Sequence, residues 1–525
     1  MRTSDTNFMN AVAKWFGLLL PRLRPHLYEN GGPIIMIQIE NDYGDYPACD
    51  RSYMASLNSL IQKHLGQNVI VTTVDVGIKS ALRCGSPFSI NLATISFGPY
   101  DGDPDDKFTS LSEFQPDAPW VNSEYYTGWM DHWGFPHFYV SQKHFIDGLM
   151  KLMAYSPRVS VNIYMFHGGT NFGFWNGAID RPYSAQSTSY DHNAPVSEAG
   201  DTTEFYRKLQ QALHQRKNIS VPEAPQNVTK RVYETIKLRL VSHMVSHTAE
   251  GVSSKFPLSM ESLGQYEGFI LYRTPFYRTV GQSVRLKFKE IADYAYIYTA
   301  NSATGSIFFH GTVSRNDRSL VFFFKTEFNT TDLLIMIENA GYIAYATKTF
   351  KDTKGIRGPI SADGKEILGW SMLPICLTPK NHWKCNQPMS QAVQSVMSAG
   401  LSPSTTNQEV MFWPIEGGIF AATLNISTPA ELADTFVKPV NFTRGILIVN
   451  DEVIGRYNQA LGPQLRVYLP KSALRVGINV FIVVELDSLW LNGTMVGGPM
   501  FEGAAYPLEF DNQMHWHTKR RRPIH

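Results

Sequence analysis

Charge is scarce in this chain. Asp, Glu, Lys and Arg make up only 18% of its 525 residues, and Lys+Arg 47 against Asp+Glu 46 leaves a formal net charge of +1. No overall field exists to draw in a polyanion, and basic stripes interleaved with aromatics are missing, so nucleic acid is not expected as a partner. The one dense basic run, Lys519-Arg520-Arg521-Arg522, reads as a solvated tail. Long apolar runs are absent too: none approaches the roughly 18 to 20 residues of a spanning helix, so no helical membrane span is expected. Met1 to Asn10 has no charged n-region followed by an apolar stretch and a small-residue cleavage site, and no secretion signal is readable there. There is no His-Glu-x-x-His, no Gly-x-Ser-x-Gly elbow and no glycine-rich phosphate loop; neither a metal nor a cofactor is expected. The acidic stretch Asp101-Gly102-Asp103-Pro104-Asp105-Asp106 lacks the later bidentate Glu of a calcium loop and reads as a solvated turn. Cysteines number four, Cys49, Cys84, Cys376 and Cys385, compatible with two disulfides or with free buried thiols.

What is present suits a folded protein with aromatic-rich clefts: 43% hydrophobic and 13% aromatic residues, in a chain long enough for about three domains. Apolar residues return at helical spacing from Asn7 to Leu27, with Gly31-Gly32-Pro33 as a stop. The run Pro33 to Ile39 has the texture of a parallel strand buried on both faces. A helix over 50–65 follows, then strands at 68–74, 90–97, 120–125 and 159–166, with a helix at 141–155 between the last two and another at 201–216. Strands alternating with helices predict parallel α/β, with polar residues gathered at the strands' C-terminal ends. Beyond Pro222-Glu223-Ala224-Pro225 the texture changes to short β-branched and aromatic runs. One set is 269–272, 294–298, 306–309, 320–324 and 333–337; a second is 411–413, 420–424, 445–449, 465–469 and 479–485. Their spacing predicts two β-sandwiches, joined by a helix-poor connection within 363–406. Six Asn-x-Ser/Thr acceptor sites, Asn218, Asn227, Asn329, Asn425, Asn441 and Asn492, are candidates for glycosylation.

Two strand ends carry the chemistry. One reads Gln38-Ile39-Glu40-Asn41-Asp42-Tyr43-Gly44, the other Asn122-Ser123-Glu124-Tyr125-Tyr126-Thr127-Gly128-Trp129. Carboxylates facing across a cleft, beside Tyr and Trp able to lie against an apolar sugar face, are what glycoside hydrolysis requires. Solvated helix caps are the plain alternative for acids in such places.

These two segments, extended to Gly31–Gly44 and Asn122–Gly134, together with Asn162–Ala178, closely resemble glycoside hydrolase family 35, the family of the animal, lysosomal-type β-galactosidases and their paralogues. The likeness continues through Thr188–Asp191, Gly268–Arg273, Gly455-Arg456-Tyr457 and Gly462–Leu465. It implies a multidomain α/β plus all-β fold: a partial (β/α)8 TIM barrel lacking its first three β/α units, then two β-sandwich, jelly-roll, galactose-binding-like domains. The corresponding boundaries are barrel 1–220, linker 221–254, first sandwich 255–376, connection 377–407, second sandwich 408–515 and basic tail 516–525. Absence of the barrel's front leaves an unpaired parallel edge and suggests an incomplete sequence, with a truncated form as the alternative.

The resemblance also implies a retaining exo-β-galactosidase that removes terminal β-D-galactosyl residues from glycoconjugates by double displacement, with β-galactoside glycans or glycolipids as substrates. It assigns Glu124 as nucleophile and places the acid/base at Asp42, the residue after Asn41, rather than at Glu40. Relatives carry Glu there; Asp is one methylene shorter and withdraws the donor by roughly 1.5 Å, a misplacement that costs on the order of 100-fold. Asn41, Tyr126, Trp129 and Tyr164 match sugar contacts, His192 stands where relatives carry Tyr, and Cys49–Cys84 matches a disulfide. Lysosomal or secreted location is implied; homodimerisation stays open. The rival class is a non-catalytic galactoside-binding or scaffold protein.

Overall fold

A computed structural model describes residues 1–217, 221–344, 351–379, 385, 388–398, 416–487, 489–491, 494–496 and 505–514. The chain divides into two compact units: Met1–Trp129, Phe138–Gly168 and Asp191–Asn227 form the first, and Met130–His137, Gly169–Tyr190 and Val228–His525 the second.

In chain order the first unit contains α1 (Thr6–Leu23), β1 (Met36–Asn41), α2 (Arg51–Leu65), β2 (Ile70–Val76), α3 (Lys79–Gly85), β3 (Asn91–Ser96), α4 (Pro104–Phe114), β4 (Trp120–Tyr126), α5 (Gln142–Tyr155), β5 (Val159–Tyr164) and α6 (Glu204–Lys217). The five strands pair in sequential order, all parallel. Each return to the start of the next strand requires a crossover, which α2 to α5 supply. Alternation along β3 turns Ala93 and Ile95 toward Phe108 and Leu111 of α4, Phe145, Leu149 and Leu152 of α5, and Phe205 and Leu209 of α6. A second cluster joins Leu20 of α1, Ile61 and Leu65 of α2 and Val71 of β2.

Three details depart from the sequence reading. β1 is an edge strand of this sheet and leaves Met36 and Gln38 exposed, because a strand with one neighbour is not buried on both faces. α1 stops at Leu23, where Pro25 follows within two residues and a short 3-10 turn takes over. The acidic stretch at 101–106 is more than a turn: Asp103 accepts the Asp105 N–H and caps α4, with Pro104 in its first turn.

The second unit is built mainly from antiparallel strands, with one short parallel pair between Tyr342–Ile343 and Gly177–Ala178. A six-stranded and a four-stranded sheet enclose one core, in which Ile270, Tyr272, Ile297 and Ile335 of the larger sheet meet Val284, Leu286 and Ile360 of the smaller. The C-terminal strands instead form one continuous eight-stranded sheet folded over its own core of Leu424, Val437, Leu447, Phe481 and Leu508. Between them Leu271, Tyr298 and Met336 pack on Ile419, Ile446 and Ile482.

Ile236–His243, inside the stretch expected as linker, is a strand in the middle of the eight-stranded sheet, between Gly418–Ile426 and Ala505–Asp511. The expected helix-poor connection holds a helix, Met389–Ser398, whose Met389 and Val393 enter the shared core. Met130–His137 and Gly169–Tyr190 depart from the single block 1–220. Long-range bonds hold them in this unit: Gly134 N–H to Gly462 O at 3.0 Å and Thr188 Oγ1 to Arg456 O at 2.7 Å. Both cysteine pairs are bonded, Cys49–Cys84 and Cys376–Cys385. The strand expected at 411–413, the sites Asn218 and Asn492, and the tail 516–525 lie outside the described residues. Among the described residues no helix is long and apolar enough to cross a membrane.

Candidate active site

Parallel sheets expose their functional side chains where strands give way to the following loops. At the end of β1 the chain turns sharply: Asp42 takes φ +49°, and its N–H bonds Val74 O of β2 at 2.8 Å. The twist separates Asp42 from the regular alternation of the strand. Its Oδ2 accepts from Asn41 Nδ2 at 3.2 Å, while Oδ1 is buried with no hydrogen-bond partner among the described residues. Asn41 Oδ1 in turn receives Gln38 Nε2 at 3.3 Å.

Glu40 is fully engaged elsewhere. Arg2 grips it with two nitrogens, Nε to Oε1 at 3.0 Å and Nη2 to Oε2 at 2.7 Å, and Tyr53 OH donates to Oε1 at 2.7 Å. A carboxylate clasped in a bidentate pair and bonded to a phenol is a structural anchor.

Three strands further on, Glu124 lies in register with Ser96 of β3. Its backbone N–H bonds Asn122 Oδ1 at 3.1 Å, and Tyr126 OH donates to its Oε2 at 2.8 Å. Burial raises the pKa of Glu124, the Tyr126 hydrogen bond opposes that, and the charge of Asp42 adds to the rise. Asp42 is likewise raised, first by burial, then by Asp45, with Arg2 pulling the other way. The charge of Asp42 therefore reaches Glu124.

Around Glu124 four rings gather. Tyr126 meets Trp129 edge-on at 5.2 Å and Tyr164 at 6.2 Å; His192 lies 5.4 Å from Tyr164 and 6.1 Å from Trp129. Trp129 keeps 39% exposure, while His192 is buried and burial lowers its pKa to about 4, so its imidazole is neutral. The loop bearing His192 passes close because residue 128 is glycine: a Cβ there would lie 2.2 Å from His192 O. All of Asn41, Asp42, Glu124, Tyr126, Trp129, Tyr164 and His192 belong to the first unit, and the electrostatic and ring contacts connect Asp42, Glu124 and the four rings. Sequence reasoning missed Arg2, whose partner is 38 residues away, and Asp75, a further acid on β2. Among the described residues no three metal-ligating side chains cluster.

Residues 1–216 match Glycosyl hydrolases family 35, residues 257–376 the first all-beta domain of beta-galactosidase, and 419–479 its galactose-binding domain. Beta-galactosidase of Macaca fascicularis is 33% identical over 503 residues, covering 93% of this chain and 70% of the relative. Beta-galactosidase of Homo sapiens is 32% identical over 504 residues with the same coverage, and Beta-galactosidase 17 of Arabidopsis thaliana 32% over 507, covering 93% and 71%. With the likeness running through all three matched regions, the chain belongs to glycosyl hydrolase family 35 and is a glycoside hydrolase.

Proposed function

We propose that this chain is a retaining exo-β-galactosidase working by double displacement on terminal β-D-galactosyl residues of glycans or glycolipids. The observation that carries the reading is the pairing of Glu124 with Asp42: two part-buried carboxyls at the ends of β4 and β1, each raised by burial, one sensing the charge of the other. Glu124 attacks the anomeric carbon while Asp42 protonates the leaving oxygen. Asp42 then draws a proton from water, and the hydroxide so formed releases the sugar from Glu124.

Double displacement needs one proton on the pair, held by Asp42. A proton held by Asp42 removes the repulsion that raises Glu124, so Glu124 ionises and gains the Tyr126 hydrogen bond as a nucleophile. Activity then falls at low pH as Glu124 takes a proton and at high pH as Asp42 loses one, which suits an acidic compartment such as the lysosome or a secreted setting. Trp129, Tyr126 and Tyr164 form the wall for the sugar's apolar face, with Asn41 beside the acid, and the neutral His192 replaces a phenolic contact. The five-stranded sheet is read as the later part of a (β/α)8 barrel. Asn227, Asn329, Asn425 and Asn441 are exposed and open to glycosylation.

An activated aryl β-galactoside, whose leaving group needs little protonation, tests the assignment. Hydrolysis is expected, and Glu124→Gln should lower it by about 10⁴-fold or more. Binding of the galactoside without any turnover by the parent would support the non-catalytic reading, which the shortened acid at position 42 favours.

A further inference from the structure

Beneath the turn that carries Asp42 lies a carboxyl group to which the chemistry above gives no role. Asp75, near the end of β2, is 1% exposed. Its Oδ1 accepts the N–H of Gly44 at 2.5 Å, and its Oδ2 is buried with no hydrogen-bond partner among the described residues. Gly44 is the middle residue of the short 3-10 turn Tyr43–Asp45 that follows Asp42 directly. From the opposite side the end of α3 presses in: a Cβ on Gly85 would lie 1.8 Å from Asp75 Oδ2, so only glycine lets this backbone close over the carboxyl. The neighbouring Cys84 ties α3 to Cys49, four residues beyond the turn.

Asp42 therefore hangs between two points of one strand: its own N–H on Val74 O, and Gly44 on the side chain of the next residue, Asp75. Such restraint is needed because φ +49° is a conformation that non-glycine residues adopt at a cost of about 1 kcal/mol or more. It is needed here especially, since an acid one methylene short has little freedom to recover lost reach. We propose that Asp75 is a positioning residue for the acid/base, acting through the Gly44 N–H to fix the Asp42 carboxyl. This inference rests on the assignment of Asp42 given above.

The charge environment suits that role. The groups acting on Asp75 are Asp42 and Glu40 of the β1 end and Asp45 of the turn, all acidic, and burial together with them pushes it up to about 8, the Gly44 bond notwithstanding. At acidic pH it is a neutral acceptor, adding no negative charge under the acid/base. A group raised in the folded state stabilises the fold fully below its ordinary pKa, and that contribution is lost as pH rises toward 8.

The test is kcat/KM for aryl β-galactosides of increasing leaving-group pKa, measured on the parent, Asp75→Ala, Asp75→Asn and Asp42→Asn. Asp75→Ala should lose about 10- to 100-fold on poor leaving groups and little on activated ones; Asp75→Asn, which keeps an acceptor for Gly44, should stay within about threefold of the parent. Should the alanine variant fail to fold, Asp75→Ser, too short to reach Gly44, takes its place with the same expectation. A loss equal across the series, or none, overturns the proposal, since a merely structural role does not discriminate by leaving group. Asp42→Asn separates the two readings. Selective loss there without selective loss at position 75 removes only the positioning role; no selective loss at position 42 removes the acid/base assignment as well.

Discussion

The two units differ in how most of their buried acids are held. In the second, Asp293 bonds Lys354 Nζ at 2.8 and 2.9 Å and Arg315 at 2.6 Å, with Asp352 sharing both cations. Glu338 meets Arg444 at 2.8 Å and Arg456 at 3.4 Å. Glu485 has no ion pair among the described residues but is covered by Tyr457 OH and the N–H groups of Thr443, Arg444 and Asp487. In the first unit, Asp42, Asp75 and Glu124 are buried or half-buried with no ion pair among the described residues, and all three are raised. Asp293, Asp352 and Glu338 meet fixed cations, as Glu40 of the first unit meets Arg2, although burial still raises Glu338 to about 7 and Glu485 to about 8; Asp42, Asp75 and Glu124 have no such cation among the described residues, and their protonation responds to pH and to neighbouring acids.

That contrast can be broken first at Lys354, whose side chain is fully buried. Lys354→Met leaves Asp293 and Asp352 with Arg315 alone and should destabilise the second unit by about 3–5 kcal/mol in urea unfolding; an unchanged midpoint would mean that the cation is not what tolerates those acids. Next in size is Asp42→Glu. Restoring the methylene should raise kcat/KM for unactivated galactosides by up to about 100-fold, and lower activity would mean that the turn has adapted to the shorter acid. The smallest effect belongs to a pair on the surface of the first unit. Lys143 and Asp147 meet at 2.5 Å one turn apart on α5, both largely exposed, and Lys143→Ala should cost less than about 0.5 kcal/mol by thermal unfolding.

Legibility followed the range of the interactions. The first two parallel strands announce themselves through near-continuous apolar runs and the other three through shorter apolar stretches alternating with helices, and the observed limits of all five differ from expectation by only a few residues. Met389–Ser398 was hidden because Ser390, Gln391, Gln394 and Ser395 mask a stripe of Met389 and Val393 that only the shared core explains. Ile236–His243 read as linker because its partners lie more than 170 residues away, at 418–421 and 505–508. In the site, Glu124 and the ring cluster came from long motifs. Asp75 did not, since nothing local distinguishes an acid that holds a turn from one facing solvent. The pairing of Cys376 with Cys385 was likewise open, nine residues of spacing being compatible with either state.

The order of the eight-stranded sheet has a consequence for synthesis. Ala505–Asp511 is the last strand among the described residues, yet it sits between Ile236–His243 and Thr435–Pro439 and links the latter, with Val467–Leu469, to the rest. Until it emerges from the ribosome, the sheet remains two separate ribbons, each with an open edge able to pair with a foreign strand. A stop codon ahead of Ala505 would therefore leave ribbons of five and two strands in place of one sheet.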